Sequence, residues 1–444
     1  MNPSDLILVC GGEALEKWGT FVRRLAPAYR DGESLIETWT RATVGACVSR
    51  TAGLHFPASG IPQVEFVDLD GDGVRESAVT LHSPARTNLL LHNQAFDNAA
   101  WTKTRATVTA NADDAPFDRS GSSITVADRL VEDTSASTTH LVSQAVTITA
   151  NATLCLSVYV KENSRRWIRL VVHDGTETNS FTRFFDSRTG APGTSSAAGT
   201  GTFIASGSEA LKDGWYRVWI IGTVGNADTS VTVECRLATG DNGENYTGDG
   251  ASNIRLYGAQ LEEGREPSSL IVTGAATATR NADQCTIPWL RTPEAMTVYA
   301  KFVERAVPNW VVVGENSPTV CWIGDANTPR LLLFKPTTTD GYRFQHRPVG
   351  ATADSDIDLN PTYGDVVELN GQLAASGATT LSGRKNSGTI TTGATGTAQP
   401  LATTWSTTTL HVGMANGADG QGSIALRSLK IARGIYTLDE MASA

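Results

Sequence analysis

The densest run of potential ligands in the chain is Asp68-Leu69-Asp70-Gly71-Asp72-Gly73-Val74-Arg75-Glu76. Oxygen donors at loop positions one, three, five and nine (Asp68, Asp70, Asp72, Glu76), a glycine at six and the Val74 carbonyl at seven follow much of the spacing by which a loop wraps a hard cation. Position twelve is Val79 rather than a bidentate glutamate, and the flanks read as strands. The fitting comparison is a calcium-bound hairpin turn, and Ca2+ is the cofactor the sequence suggests. The plainer alternative is an ordinary Asp-Gly hairpin turn. Sugar binding asks for an aromatic platform beside amides and carboxylates, and the ten tryptophans supply the material. Trp167, which follows Arg165-Arg166, is the candidate for an exposed ring. Trp215 and Trp219 read as core.

Catalytic signatures are missing from the sequence. There is no Gly-x-Ser-x-Gly elbow, His-Glu-x-x-His pair, Walker loop or Rossmann fingerprint. The seven histidines are scattered, and His173, at the end of an apolar run and next to Asp174, reads as a hydrogen-bonded histidine rather than a general base. Glu262-Glu263 is a poor pair for glycoside hydrolysis, because neighbours on a strand point to opposite faces. The expectation is a protein that is not an enzyme.

Composition narrows the setting. Of 444 residues 40% are apolar and 18% charged, which allows packed cores under a surface of Thr, Ser, Asn and Gly. A net charge of −10, with no long Lys/Arg run, leaves no electrostatic footprint for nucleic acid. No stretch approaches the roughly 18 consecutive apolar residues of a membrane span, and the start of the chain lacks the pattern of a signal peptide. Six widely spaced cysteines form no C-x-x-C pair and are expected to be reduced, Cys155 and Cys235 as small core residues.

The elements that must position these residues are mostly strands. Between Gly12 and Asp31, Leu15, Trp18, Phe21, Val22, Leu25 and Ala26 recur at helical steps, and Pro27 ends or bends that helix. Val64–Val67 and Ser77–Leu81 flank the acidic run as a hairpin. Leu154, Leu156, Val158 and Val160 alternate with Cys155, Ser157, Tyr159 and Lys161. Ile168, Leu170 and Val172 repeat the period of two, as do Val233, Cys235 and Leu237. Near residues 283–285 the chain starts afresh with Thr297–Phe302, and it closes on Thr437-Leu438-Asp439-Glu440, a capping box. The predicted fold is mostly β: tandem antiparallel sandwiches behind a short N-terminal helical segment. Its predicted parts are a helical anchor or oligomerisation segment (1–37), a hairpin lead-in (38–85) and sandwiches over 86–283 and 284–444.

Three stretches carry a family resemblance. Ala85-Arg86-Thr87-Asn88-Leu89-Leu90-Leu91 with Ala95–Lys103, then Gly214-Trp215-Tyr216-Arg217-Val218, then Tyr257-Gly258-Ala259-Gln260-Leu261-Glu262-Glu263-Gly264 with Thr279–Asp283, resemble in order and spacing the carbohydrate-binding-module-like jelly rolls of tail and head-fibre proteins of tailed phages. The stretch from His411-Val412-Gly413 through Gly422–Leu426 to Ile435-Tyr436-Thr437 resembles laminin-G-like, concanavalin-A-like sandwiches. The resemblance implies a virion-surface structural protein, on a tail fibre, tail tip or head spike, assembled in the bacterial cytoplasm. It implies a homo-oligomer, with a trimer favoured, held to other virion proteins through its N-terminal segment and turned towards bacterial surface polysaccharide. Two alternatives stay open: a capsid decoration or cement protein without ligand, and an accessory subunit of a glycan-degrading enzyme.

Overall fold

The computed structural model describes residues 85–444 apart from 117–124, 226, 289–292, 306–318, 325–329, 337–340, 349–351, 402–403, 406–408, 414–423 and 444, and, before residue 85, the backbone of eight strands. The helical stripe Leu15–Ala26 and the acidic run Asp68–Glu76 lie outside the described residues. Every strand pairing described is antiparallel. The chain divides into two compact units.

The central sandwich comprises residues 86–280 and groups with the small hairpin of Cys47–Val48 and Leu54–His55. One six-stranded sheet runs Thr102–Thr104, Leu141–Thr147, Ser230–Ala238, Trp167–His173, Ser180–Asp186, Pro192–Ala198. The other runs Ala106–Asp114, Thr125–Glu132, Asn253–Glu263, Leu154–Lys161, Tyr216–Thr223, Thr202–Ala210. Alternation explains the packing. Leu154, Leu156, Val158 and Val160 of one sheet meet Ile168, Leu170, Val172, Val233, Cys235 and Leu237 of the other in a single buried cluster. Strand Leu154–Lys161 is buried on its second face too, because Tyr159 packs with Leu211, Trp215, Tyr257 and Leu270 in a further layer. Cys155 and Cys235 are free and fully buried, and burial pushes the Cys235 thiol up to about 12. Trp215 and Trp219 are core, as their spacing suggests.

The second sandwich is composite. One sheet contains Thr391–Thr392, Thr379–Lys385, Val366–Leu373, Met296–Glu304, Ile424–Arg433, Ser77–His82 and Gln63–Val67, with Leu6–Cys10 also paired to Ile424–Arg433. Facing it are Ala353–Ile357, Tyr342–Arg347, Arg330–Phe334, Thr319–Ile323, Thr409–Val412, Gln284–Pro288 and Thr38–Thr40. Val298, Ala300, Phe302, Leu369, Leu429 and Ile431 pack against Cys321, Leu333, Phe344, Leu410 and Val412. The hairpin 63–67/77–82 forms in register, with Val67 opposite Ser77. It is not a free lead-in, since Thr80–His82 pair with Ile424–Leu426. Strands likewise stand within the first 37 residues, where the sequence suggested only helix. They are four or five residues long, too short to carry a period against polar neighbours. At the far end the capping box forms: the Glu440 amide donates to Thr437 Oγ1 at 3.3 Å and the Thr437 amide to Glu440 Oε2 at 2.8 Å, opening the helix Leu438–Ser443.

Candidate functional site on the central sandwich

On strands Trp167–His173 and Ser230–Ala238, the residues between the core positions face away from the core, and several of them are charged. Trp167, Arg169 and His173 stand on one strand, and Glu234 and Arg236 on its neighbour, with Arg169 directly opposite Arg236. Two arginines side by side in a sheet repel unless carboxylates are placed among them. Loops at the two ends of strand Trp167–His173 and its neighbour supply them. Glu244, from the 239–252 connection, pairs with Arg169 and lies 3.1 Å from Arg236. Glu177, from the connection after His173, lies 2.7 Å from Arg236, and Glu234 closes on the same guanidinium. Arg169 also donates to Thr182 Oγ1 at 2.9 Å. His173, Glu234 and Arg236 are buried although they are outside the core.

Burial alone would push Glu234 up, but the His173 ring and the Arg236 guanidinium hold its carboxyl below the usual range. The Arg236 guanidinium is held higher still, its own desolvation being outweighed by Glu234, Glu177 and Glu244.

His173, Glu177 and Glu234 each place a ligand atom within 4.8 Å of the others. The hydrogen bonding around them does not fit a metal. His173 Nδ1 accepts the Gly175 amide at 3.0 Å, so the proton of the neutral ring sits on Nε2, which faces Glu234 Oε1 at 3.3 Å outside good hydrogen-bond geometry. A ligating histidine has the reverse arrangement, with a bare nitrogen towards the ion and its other N–H donated away. Both carboxylates are moreover held by Arg236, which supplies the cation.

Trp167 opens its strand at one end of this face and is half-buried. A Cβ built on Gly193 would come within 2.8 Å of Trp167 Cζ3 and 2.5 Å of Asp241 Oδ1. The glycine therefore lets the indole and the carboxylate close on the backbone between them. Asp241 accepts the Thr194 amide at 2.7 Å and the Thr194 hydroxyl at 3.0 Å. The result is an aromatic ring packed beside the Asp241 carboxylate and the Thr194 hydroxyl at the end of the charged row. Sequence reasoning singled out Trp167 and did not single out Arg169, Glu234, Arg236 and Glu244 on the same face. The available signal was charge at the positions alternating with Val233, Cys235 and Leu237.

Other sequence candidates resolve simply. His173 lies at a strand end, hydrogen-bonded as read, with its Nε2 beside the buried Glu234. Glu262 and Glu263 diverge: Glu262 is buried against Gln260 and Ser268, while Glu263 accepts the Thr149 amide at 2.6 Å. Asp68, Asp70, Asp72, Val74 and Glu76 lie outside the described residues.

No family model matches the chain, and no curated protein matches it. Among solved structures, domains LG4-5 of the mouse laminin alpha1 chain are similar at 11% identity and a TM-score of 0.22, over 66% of this chain and 85% of that one. The LG1-3 region of the laminin alpha2 chain is similar at 11% identity and a TM-score of 0.21, over 68% of this chain and 62% of that one. The sandwich architecture rests on the strand pairing and the two cores described above. Among the described residues no helix is long and apolar enough to cross a membrane.

Proposed function

We propose that this protein is a structural component of a phage or phage-like virion, a tail fibre, tail tip or head spike, which displays its β-sandwiches for attachment to bacterial surface glycans. The observation that carries this reading is how the central sandwich closes. Arg86–Asn88 pairs with Ala278–Arg280, so the two motif-bearing ends of the module meet. Asn88 lies fully buried between them and uses its whole amide. It donates to the Ala259 and Ile271 carbonyls at 3.2 and 3.0 Å and accepts the Leu90 and Leu261 amides at 3.1 and 3.2 Å. The stretches that resemble the opening and exit of phage fibre jelly rolls thus meet here and close one module, which is the arrangement this reading builds on.

The glycan surface in this proposal is the outward face of the Trp167 sheet, with the indole as platform and Asp241, Arg169 and Glu244 as polar contacts. The N-terminal segment would hold other virion proteins and further copies of the chain, as a trimer, and the acidic run Asp68–Glu76 would hold Ca2+. The test is binding of the purified chain to polysaccharide from bacterial envelopes. Trp167→Ala should weaken binding about tenfold, the scale of one aromatic contact, with thermal stability little changed. Repeating the measurement in chelator tests the calcium assignment through the stability of the hairpin-bearing sheet. Binding indifferent to Trp167 would remove this face from the proposal. Absence of the protein from the surface of intact particles by electron microscopy would remove the virion reading.

A further inference from the structure

Three Asn-Gly dipeptides stand in the chain, at 242–243, 370–371 and 416–417, the last outside the described residues. Asparagine before glycine can close a ring on its own backbone. The following amide nitrogen attacks the side-chain carbonyl carbon, and a glycine has no Cβ to shield that nitrogen. The fold around each pair decides whether the ring can close.

Asn370-Gly371 lies in strand Val366–Leu373, paired on one side with Met296–Glu304 and on the other with Thr379–Lys385. Asn370 is fully buried, its side-chain amide donates to the Tyr436 carbonyl at 2.9 Å, and Gly371 is packed against Phe344. Ring closure there requires opening the sheet. Asn242-Gly243 is the reverse case. Asn242 is exposed and holds a left-handed φ of 64°, which asparagine tolerates in turns. Its turn is local: the Gly243 amide donates to the Gly240 carbonyl at 3.1 Å, and the Thr239 amide donates to the Gly243 carbonyl at 2.9 Å. Opening that one turn frees the Gly243 nitrogen, at a far smaller cost than opening a sheet.

The residues on either side give the site its consequence. Asp241 accepts the Thr194 amide and hydroxyl. Glu244 pairs with Arg169 and lies 3.1 Å from Arg236. The 239–252 connection is thus fastened to the sheet by one carboxylate just before the dipeptide and another just after it.

We infer that Asn242-Gly243 is a site of spontaneous deamidation and isomerisation, and that its conversion loosens the 239–252 connection from the Trp167 sheet. The Gly243 nitrogen loses its proton and bonds to Asn242 Cγ; the bond from Cγ to the side-chain nitrogen breaks, and ammonia leaves a succinimide ring. Water then opens the ring at either carbonyl, giving aspartate or isoaspartate. In isoaspartate the main chain runs through the side-chain carbon and is one atom longer. The spacing from Asp241 to Glu244 then no longer matches their two anchors. The inference does not rest on the virion reading.

The test is incubation of the full folded chain at mildly acidic and mildly alkaline pH, followed by peptide mapping with mass spectrometry. Asn242 should convert at least about tenfold faster than Asn370, and faster at the alkaline pH, where the Gly243 amide loses its proton more readily. Labelling by an isoaspartate-specific methyltransferase should fall on position 242. In the converted chain, hydrogen exchange at the Thr194 amide should speed up about tenfold, the scale of one hydrogen bond to a charged group. Asn242→Gly accepts the same backbone conformation and has no side-chain amide to lose, so the same incubation should leave its exchange unchanged. Conversion of Asn242 no faster than that of Asn370 would overturn the inference. So would Thr194 exchange that is unchanged after conversion, or that rises equally in Asn242→Gly.

Discussion

The two sandwiches have the same architecture and opposite relations to the chain. The central one is nearly continuous and joins its own ends through Arg86–Asn88 and Ala278–Arg280. The composite one takes strands from residues 6–10, 38–40, 63–67 and 77–82 and completes them more than 190 residues later with strands from 284 onward. Nothing in local periodicity reports this difference, because it lies in pairing across distance. The composite unit must close long loops before its edge strands find partners, whereas the two sheets of the central sandwich come from one segment, 86–280. The boundary seen in composition near residue 283 is therefore where one module ends, and it is not where the other begins.

The largest effect expected from this contrast is on fragments. A chain starting at residue 284 lacks the partners of Ile424–Arg433 on one side and of Gln284–Pro288 in the facing sheet. Unpaired edges of that kind lose stability and invite association. The 284–444 fragment should fail to unfold cooperatively, a loss comparable with the whole stability of a domain, about 5–15 kcal/mol. The 86–280 fragment should keep a β-type circular dichroism spectrum and a single thermal transition. Cooperative melting of 284–444 at the temperature of the full chain would abolish the contrast.

A smaller effect tests what the two cores share. Each admits a phenylalanine from the opposite sheet onto a strand glycine. A Cβ on Gly222 would meet Phe181 Cγ at 2.4 Å and also the Thr202 carbonyl at 2.4 Å, and one on Gly371 would meet Phe344 Cδ2 at 2.4 Å. A ring can tilt, but a paired backbone carbonyl cannot move without disturbing its ladder. Gly222→Ala should cost about 3 kcal/mol and Gly371→Ala about 1–2 kcal/mol by chemical denaturation, within the usual range for overpacking. Equal costs would mean that the rings, and not the backbone, set the tolerance.

The legible part of the structure was the local part. A period of two located strands Leu154–Lys161, Trp167–His173 and Ser230–Ala238, and Thr437 with Glu440 marked the last helix. The two arginines before Trp167 suggested an exposed ring, whereas the indole is half-buried because the glycine at 193 lets the backbone close on it. Arg169 and Glu244 stand 75 positions apart, and their meeting depends on how the 239–252 connection returns over the sheet. Arg427 was illegible for a sharper reason. Strict alternation assigns it to the core, and the bulge that turns it outward is a property of the pairing with Met296–Glu304.

The smallest effect is the response to acid, where the two outer faces can be compared directly. Each carries a buried glutamate beside arginine: Glu234 with Arg236, and Glu368 with Arg384. Burial would raise both carboxyls. At Glu234 this is outweighed by His173 and Arg236, and at Glu368 by Arg384, Lys301 and Tyr299, so both are held below the ordinary glutamate value of 4.5. A depressed carboxyl contributes stability that is fully present above its unfolded value and is lost as pH falls through its folded value. Stability should therefore be flat at neutral pH and decline below about 4.5, and Glu234→Gln or Glu368→Gln should each flatten that decline. The neutral-pH cost should differ between the faces. Without Glu234, Arg236 keeps Glu177 and Glu244, but without Glu368, Arg384 keeps the exposed Asp439 while Lys301 loses the carboxylate beside it. Glu368→Gln should thus be the more destabilising at pH 7. Denaturant titrations of both variants between pH 7 and pH 3 measure the two terms together. An acid decline as steep in both variants as in the wild type would place the titrating groups elsewhere in the fold.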